Sequence, residues 1–295
     1  MAQVKKEEIN KYVEEHIGSF HKARIKSLTR LKLAKLLRRK NPYLFRAKNI
    51  VAPSALVKAL LDAHLSSQEE GLLGGVLEGL AIFIAGKTRR GKKSTAPGLD
   101  LEFDYQKKRY LIAIKSGPNW GNSSQIRKMK DDFIRAKRVL GQSEDALPIE
   151  VINGCCYGRQ KKGTENKGDY IKLCGQPFWE LVSGDAEMFA KIVEPIGIKA
   201  AERNADFEKQ YRKVLDAFTE LFKVDFCDKR GNILWDKVAR FTSAEKPPEL
   251  EMTKRKQRPE AEKASRQLEA VGAQATDAES ESIVKAAEKE KKPGD

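Results

Sequence analysis

No apolar run in this 295-residue chain exceeds six residues, Leu80 to Ala85. A helix that crosses a bilayer needs about 20, and the N-terminus lacks the apolar stretch of a secretory signal. The sequence therefore predicts no membrane association and a cytoplasmic location. Cysteine is scarce: Cys155 and Cys156 are adjacent in an apolar run, and Cys174 and Cys227 stand alone. That spacing excludes a CxxC zinc knuckle and a disulfide framework, which leaves buried free thiols as the reading. The three histidines, His16, His21 and His64, are scattered over helical stretches, and no HNH or zinc arrangement can be assembled from them. Trp120, Trp179 and Trp235 are read as core or hairpin anchors.

Positive charge, by contrast, is abundant. Lys and Arg number 57 against 42 Asp and Glu, a formal +15, which suits a polyanionic partner such as nucleic acid. The excess belongs to the body of the chain: residues 1–50 hold 14 basic and 4 acidic side chains, whereas residues 245–295 hold 11 and 12. Three segments are expected. They are a basic helical region at 1–52, a core with C-terminal helices at 53–243, and a charged tail at 244–295 that is too poor in apolar residues to order.

Apolar residues recur at helical spacing over residues 4–40 (Ile9, Val13, Ile17, Phe20, Leu28, Leu31, Leu36), and Asn41-Pro42 is expected to end that helix. A helix should open at 55–65 with Ser54 as its N-cap. A second runs through EEGLLGGVLEGLAIFIAG, where Gly71, Gly74, Gly75 and Gly79 at roughly 1 kcal/mol each imply a neighbour packed close to the backbone. After the basic loop 86–93, Leu99, Leu101 and Phe103 alternate with acidic residues, Gln106-Lys107-Lys108 turns the chain, and Tyr110 to Lys115 returns, which predicts a hairpin. Asn122 and Gln125 have capping-box spacing ahead of the stripe Ile126, Met129, Phe133, Ala136 and Leu140. Strands are expected at 147–156 and 169–173, and helices at 178–192, 201–222 and 234–241. This order predicts an α/β (α+β) fold, a small mixed sheet flanked by helices with further helical regions at both ends.

One residue breaks the pattern. Lys115 follows Leu-Ile-Ala-Ile in a strand that should be burying apolar side chains, so it must snorkel to water or face a partner. Asp100, on the paired strand, is the candidate. Carboxylates hold a hard cation such as Mg²⁺ that bridges to phosphate oxygens, and an ammonium beside them offsets charge on a phosphate. A surface salt bridge across a hairpin accounts for the same two residues without any chemistry.

Asp100, the hairpin and Ala113-Ile114-Lys115 resemble the PD-(D/E)XK nuclease core. The run IKSGPNWGNSSQ resembles type II restriction endonucleases of the PmeII family, which includes cutters of GGNCC-like sites. GLLGGVLEGLAIF, GQPFWELVSGD and DKRGNILWDKV are similar to family segments in the same order, so the resemblance spans roughly residues 50–242. It implies a homodimer that hydrolyses double-stranded DNA with Mg²⁺ to 5′-phosphate ends, with Asp100 and Lys115 catalytic and Asp100 a metal ligand. Ala113 stands where the second acid belongs. Glu78, on the preceding helix, is the candidate replacement as catalytic residue and metal ligand, and Glu102 is the fallback. The loop after Lys115 is expected to lie along the DNA, with Asn119, Asn122, Ser123, Gln125 and Arg127 as contacts, although turn and cap chemistry explains several of them equally. Ala113 also keeps open a catalytically inactive DNA-binding protein on a nuclease scaffold.

Overall fold

The computed structural model describes residues 3–142, 147–161, 163, 165–248 and 250; the expectation of a disordered tail falls almost wholly outside them. The elements are α1 (Lys6–Thr29), α2 (Leu33–Arg38), α3 (Pro42–Ala47), α4 (Pro53–Arg89), β1 (Lys92–Lys93), β2 (Leu101–Tyr105), β3 (Lys108–Lys115), α5 (Ser123–Leu140), β4 (Ile149–Cys155), β5 (Ile171–Cys174), α6 (Gln176–Ser183), α7 (Met188–Lys191), α8 (Val193–Gly197), α9 (Ala200–Phe226) and α10 (Trp235–Ser243). Over the described residues they form two compact units, one of residues 3–24 and 66–206, the other of 25–65 and 207–250.

The first unit holds a five-stranded mixed sheet in the order β1-β2-β3-β4-β5, antiparallel from β1 to β3 and parallel from β3 to β5. Alternation explains its two cores. Tyr110, Ile112 and Ile114 of β3 pack with Leu101 and Phe103 of β2, with Leu77, Leu80 and Ile84 of α4, and with Phe178 and Val182 of α6. Leu111 and Ala113 face the other way, against Met129, Phe133 and Ala136 of α5. A strand buried on both faces reads as a continuous apolar run, and Tyr-Leu-Ile-Ala-Ile is one. The hairpin turns through Gln106 (φ 49°) and Lys107 (φ 58°), both left-handed, the geometry of a two-residue turn that matches strand twist. The second unit is helical around Leu36, Leu56, Leu60, Phe218, Phe222 and Phe226.

Several boundaries differ from expectation. Asn41-Pro42 begins a helix rather than simply ending one: the Asn41 side chain accepts from Tyr43 N–H, and Pro42 takes the first turn, where its missing N–H costs nothing. The two helices expected over 55–86 are one 37-residue helix that already includes Pro53 and Ser54, because Ser66-Ser67-Gln68 contains no breaker. Of Gly71, Gly74, Gly75 and Gly79, two have the close neighbour expected of them. A Cβ on Gly74 would lie 3.3 Å from Ser116 Cβ, and one on Gly79 would lie 2.6 Å from the Tyr12 hydroxyl, whereas Gly71 and Gly75 face open space. By length and hydropathy α4 could cross a bilayer, but Leu77, Leu80, Ala81, Ile84 and Ala85 are committed to the protein core. The expected basic loop is the end of α4 followed by the edge strand β1.

Candidate active site

Gly98 sets the approach of the chain to the site. Its φ of +80° suits glycine, and a Cβ there would collide with the carboxylate of Asp132 on α5. Asp132 is buried, with Lys128 Nζ at 2.9 Å and Arg135 Nη2 at 3.7 Å. The tight turn delivers Asp100 just ahead of β2, where its N–H donates to Ile112 O at 2.9 Å and its Oδ2 accepts from Ile114 N–H at 2.6 Å.

Lys115, the last residue of β3, places its ammonium 3.8 Å from Asp100 Oδ2 and 5.2 Å from the centre of the Trp120 ring. Both charged side chains are partly open to solvent, 29% for Lys115 and 22% for Asp100. Glu78 comes from α4, one turn past Gly74, whose bare Cα lets the helix pass close to Ser116. Its carboxyl is pushed above the usual range, first by burial and then by the charge of Asp100, while Lys115 and Lys93 act the other way. The Cys156 thiol, at the end of β4 with its N–H on Lys115 O, is pushed up to about 12, first by burial and then by Glu78 and Asp100. Asp100, Lys115 and Glu78 are thus brought together. Glu102 is paired with other groups: Ser94 Oγ donates to it at 2.9 Å and Lys92 Nζ lies 3.2 Å away.

Ala113 is fully buried in the α5-facing apolar cluster. Opposite it on β4 is Asn153, also buried, which donates to Ala113 O and accepts from Trp120 Nε1 at 3.1 Å. At the position where the PD-(D/E)XK resemblance implies an acid, this chain has apolar packing. Of the expected DNA contacts, Asn122 and Gln125 form a reciprocal capping box, each side-chain oxygen accepting from the other's N–H at 3.0 Å. Asn119 and Ser123 are exposed. Arg127 is exposed and has no ion pair among the described residues, whereas Lys128 and Lys130 on the same helix are paired to Asp132 and Asp169.

Among the described residues no group of three or more His, Cys, Asp or Glu side chains stands ready for a metal. Two oxygen donors fit Mg²⁺ nevertheless, since that ion commonly takes one or two carboxylates and completes its shell with water and phosphate. The mutual repulsion of Glu78 and Asp100 is a load that a divalent cation would relieve.

The family model of type II restriction endonuclease EcoO109I matches residues 7–204. The chain belongs to this family. No significant match is found among curated proteins. The match reaches back over α1, which the sequence resemblance left out, and ends near the start of α9. This restriction endonuclease is accordingly a site-specific nuclease that acts on DNA, and its small mixed sheet flanked by helices agrees with that fold. Sequence reading missed Asn153 and gave Trp120 only an anchoring role. Trp120 could have been found from the sequence, as the one aromatic in the polar loop after Lys115. Asn153 carries no such signal, because one polar residue inside an apolar strand does not say which neighbour it serves.

Proposed function

We propose that this endonuclease hydrolyses double-stranded DNA with Mg²⁺, leaving 5′-phosphate and 3′-hydroxyl ends, through a PD-(D/E)XK-type site in which Glu78 replaces the acid absent at Ala113. The observation that carries this reading is the convergence of Lys115 on Asp100 at 3.8 Å beside the raised carboxyl of Glu78. Asp100 and Glu78 would hold the cation, which when bound supplies charge neutralisation at the scissile phosphate. The Lys115 ammonium orients the attacking water and offsets charge developing on the phosphate oxygens. Exposed Asn119, Ser123 and Arg127 follow the DNA along the start of α5, with the helix N-terminus facing phosphate. Asn122 and Gln125 shape that helix start through their capping box and, exposed there, contact the duplex as well.

A two-fold palindromic site calls for two-fold protein symmetry, so the working form is a homodimer in which each subunit cuts one strand. The resemblance to the PmeII family, which includes cutters of GGNCC-like sites, supports a site of that type, and the enzyme acts in the cytoplasm. Digestion of a phage genome of known sequence tests the site-specific, metal-dependent cleavage: discrete bands with Mg²⁺ and none with EDTA are expected. Smearing under both conditions, or no cutting under either, removes the reading.

A further inference from the structure

Beyond Lys115 the chain builds a corner from three glycines. Tyr157, two residues past the end of β4, donates its N–H to Ser116 O at 3.1 Å. Its ring occupies the space beside Gly117, where an added Cβ would lie 2.5 Å from the hydroxyl oxygen and 2.8 Å from Cε1. The next layer repeats the device. Cβ atoms on Gly158 and Gly175, both at positive φ, would come within 2.7 Å of the Pro118 ring and 2.6 Å of Gly158 O. Lys172 Nζ clamps Pro118 O at 2.7 Å, and Gly175 N–H donates to Cys155 O at 2.9 Å. Despite this close seat, Tyr157 is 54% exposed.

A single exposed aromatic is ordinary on a protein surface. What sets Tyr157 apart is that it is fixed in place, on the backbone of Ser116 and Gly117, the two residues that follow Lys115 in the chain. A ring already held loses little conformational freedom on binding, and in a duplex it reaches the face of a base at a kinked or unstacked step, at a cost of a few kcal/mol. We propose that Tyr157 is a substrate-positioning residue whose ring stacks on a base of the DNA strand lying at the Asp100–Lys115 centre. This rests on the nuclease reading above and adds a contact to it.

The test uses the full chain and two independent readouts. One is steady-state cleavage of DNA carrying a mapped site; the other is anisotropy of a fluorescein-labelled duplex in Ca²⁺, which needs no cleavage. Tyr157→Ala should raise KM and weaken duplex binding about tenfold, with kcat within about threefold and an unchanged melting temperature, while Tyr157→Phe keeps both near wild type. Gly117→Ala, which displaces the ring, should reproduce the Tyr157→Ala phenotype. Wild-type KM and binding in Tyr157→Ala would overturn the proposal and leave the nuclease reading standing, as would a Tyr157→Phe variant as impaired as Tyr157→Ala. A protein that binds the duplex but never cuts would overturn the nuclease reading, with the anisotropy series still deciding for or against Tyr157.

Discussion

The β2–β3 hairpin carries an aspartate and a cation at each end. Beside the turn, Arg109 grips Asp104 through hydrogen bonds of 2.8 and 3.0 Å, and that grip is the main reason the Asp104 carboxyl is held below the usual carboxylate range. At the open end, Lys115 stands 3.8 Å from Asp100, whose Oδ2 is already bonded to Ile114 N–H, and Glu78 lies near enough for its carboxyl to be pushed up. The turn pair satisfies its own charges. The open-end group leaves two acidic side chains and an ammonium able to take another ligand. An ion pair alone therefore does not mark a site; one left incompletely satisfied beside a like charge does.

Replacing Lys115 by Ala tests this contrast most severely. Plasmid cleavage should fall by about a hundredfold or more with duplex binding and melting temperature near wild type, while Arg109→Ala keeps full activity; equal losses at both ends would erase the distinction. Ala113→Glu, which introduces the acid that the PD-(D/E)XK resemblance implies, should destabilise the protein by about 3 kcal/mol or more in urea titration, since it forces a carboxylate into the Met129–Phe133 cluster. A gain in activity there would mean that the cluster opens and that Glu78 is not the substitute.

Glu78→Gln should abolish any rise in melting temperature on adding Mg²⁺ and should raise the melting temperature of the metal-free protein at neutral pH. The sign follows from the shift. A carboxyl whose folded pKa lies above its unfolded value of 4.5 favours the folded state fully at pH below 4.5, and that contribution is lost as pH rises through the folded value. At the turn, Asp104→Asn should cost under about 1 kcal/mol because both partners are well exposed. Its shift has the opposite sense: the contribution is present above pH 3.8 and disappears as pH falls through the lowered folded value, which an acid titration of stability would register.

Much of the fold was legible because its signals are local. The capping box of Asn122 and Gln125, the alternation of β2, and the apolar stripe of α5 each depend on residues a few positions apart. Helix ends were less so: Asn-Pro serves a stop and a start alike, and a continuous α4 depended on nothing interrupting it. The proximity of Asp100 and Lys115 follows from pairing two adjacent strands. Glu78 could be named only through the family resemblance, since no spacing rule links a helix residue to a strand across an intervening edge strand.

Sequence alone settled a basic, sheet-containing protein with a charged hairpin end, because propensity, period and charge are properties of neighbours along the chain. Tertiary structure decided which acid stands beside Asp100, that Ala113 is sealed in apolar packing, that Trp120 lies against the lysine and that Tyr157 is seated on Gly117. Those facts depend on how closely separate elements approach, and the approach is set by glycines at Gly74, Gly98 and Gly117 whose neighbours appear only when the chain is folded.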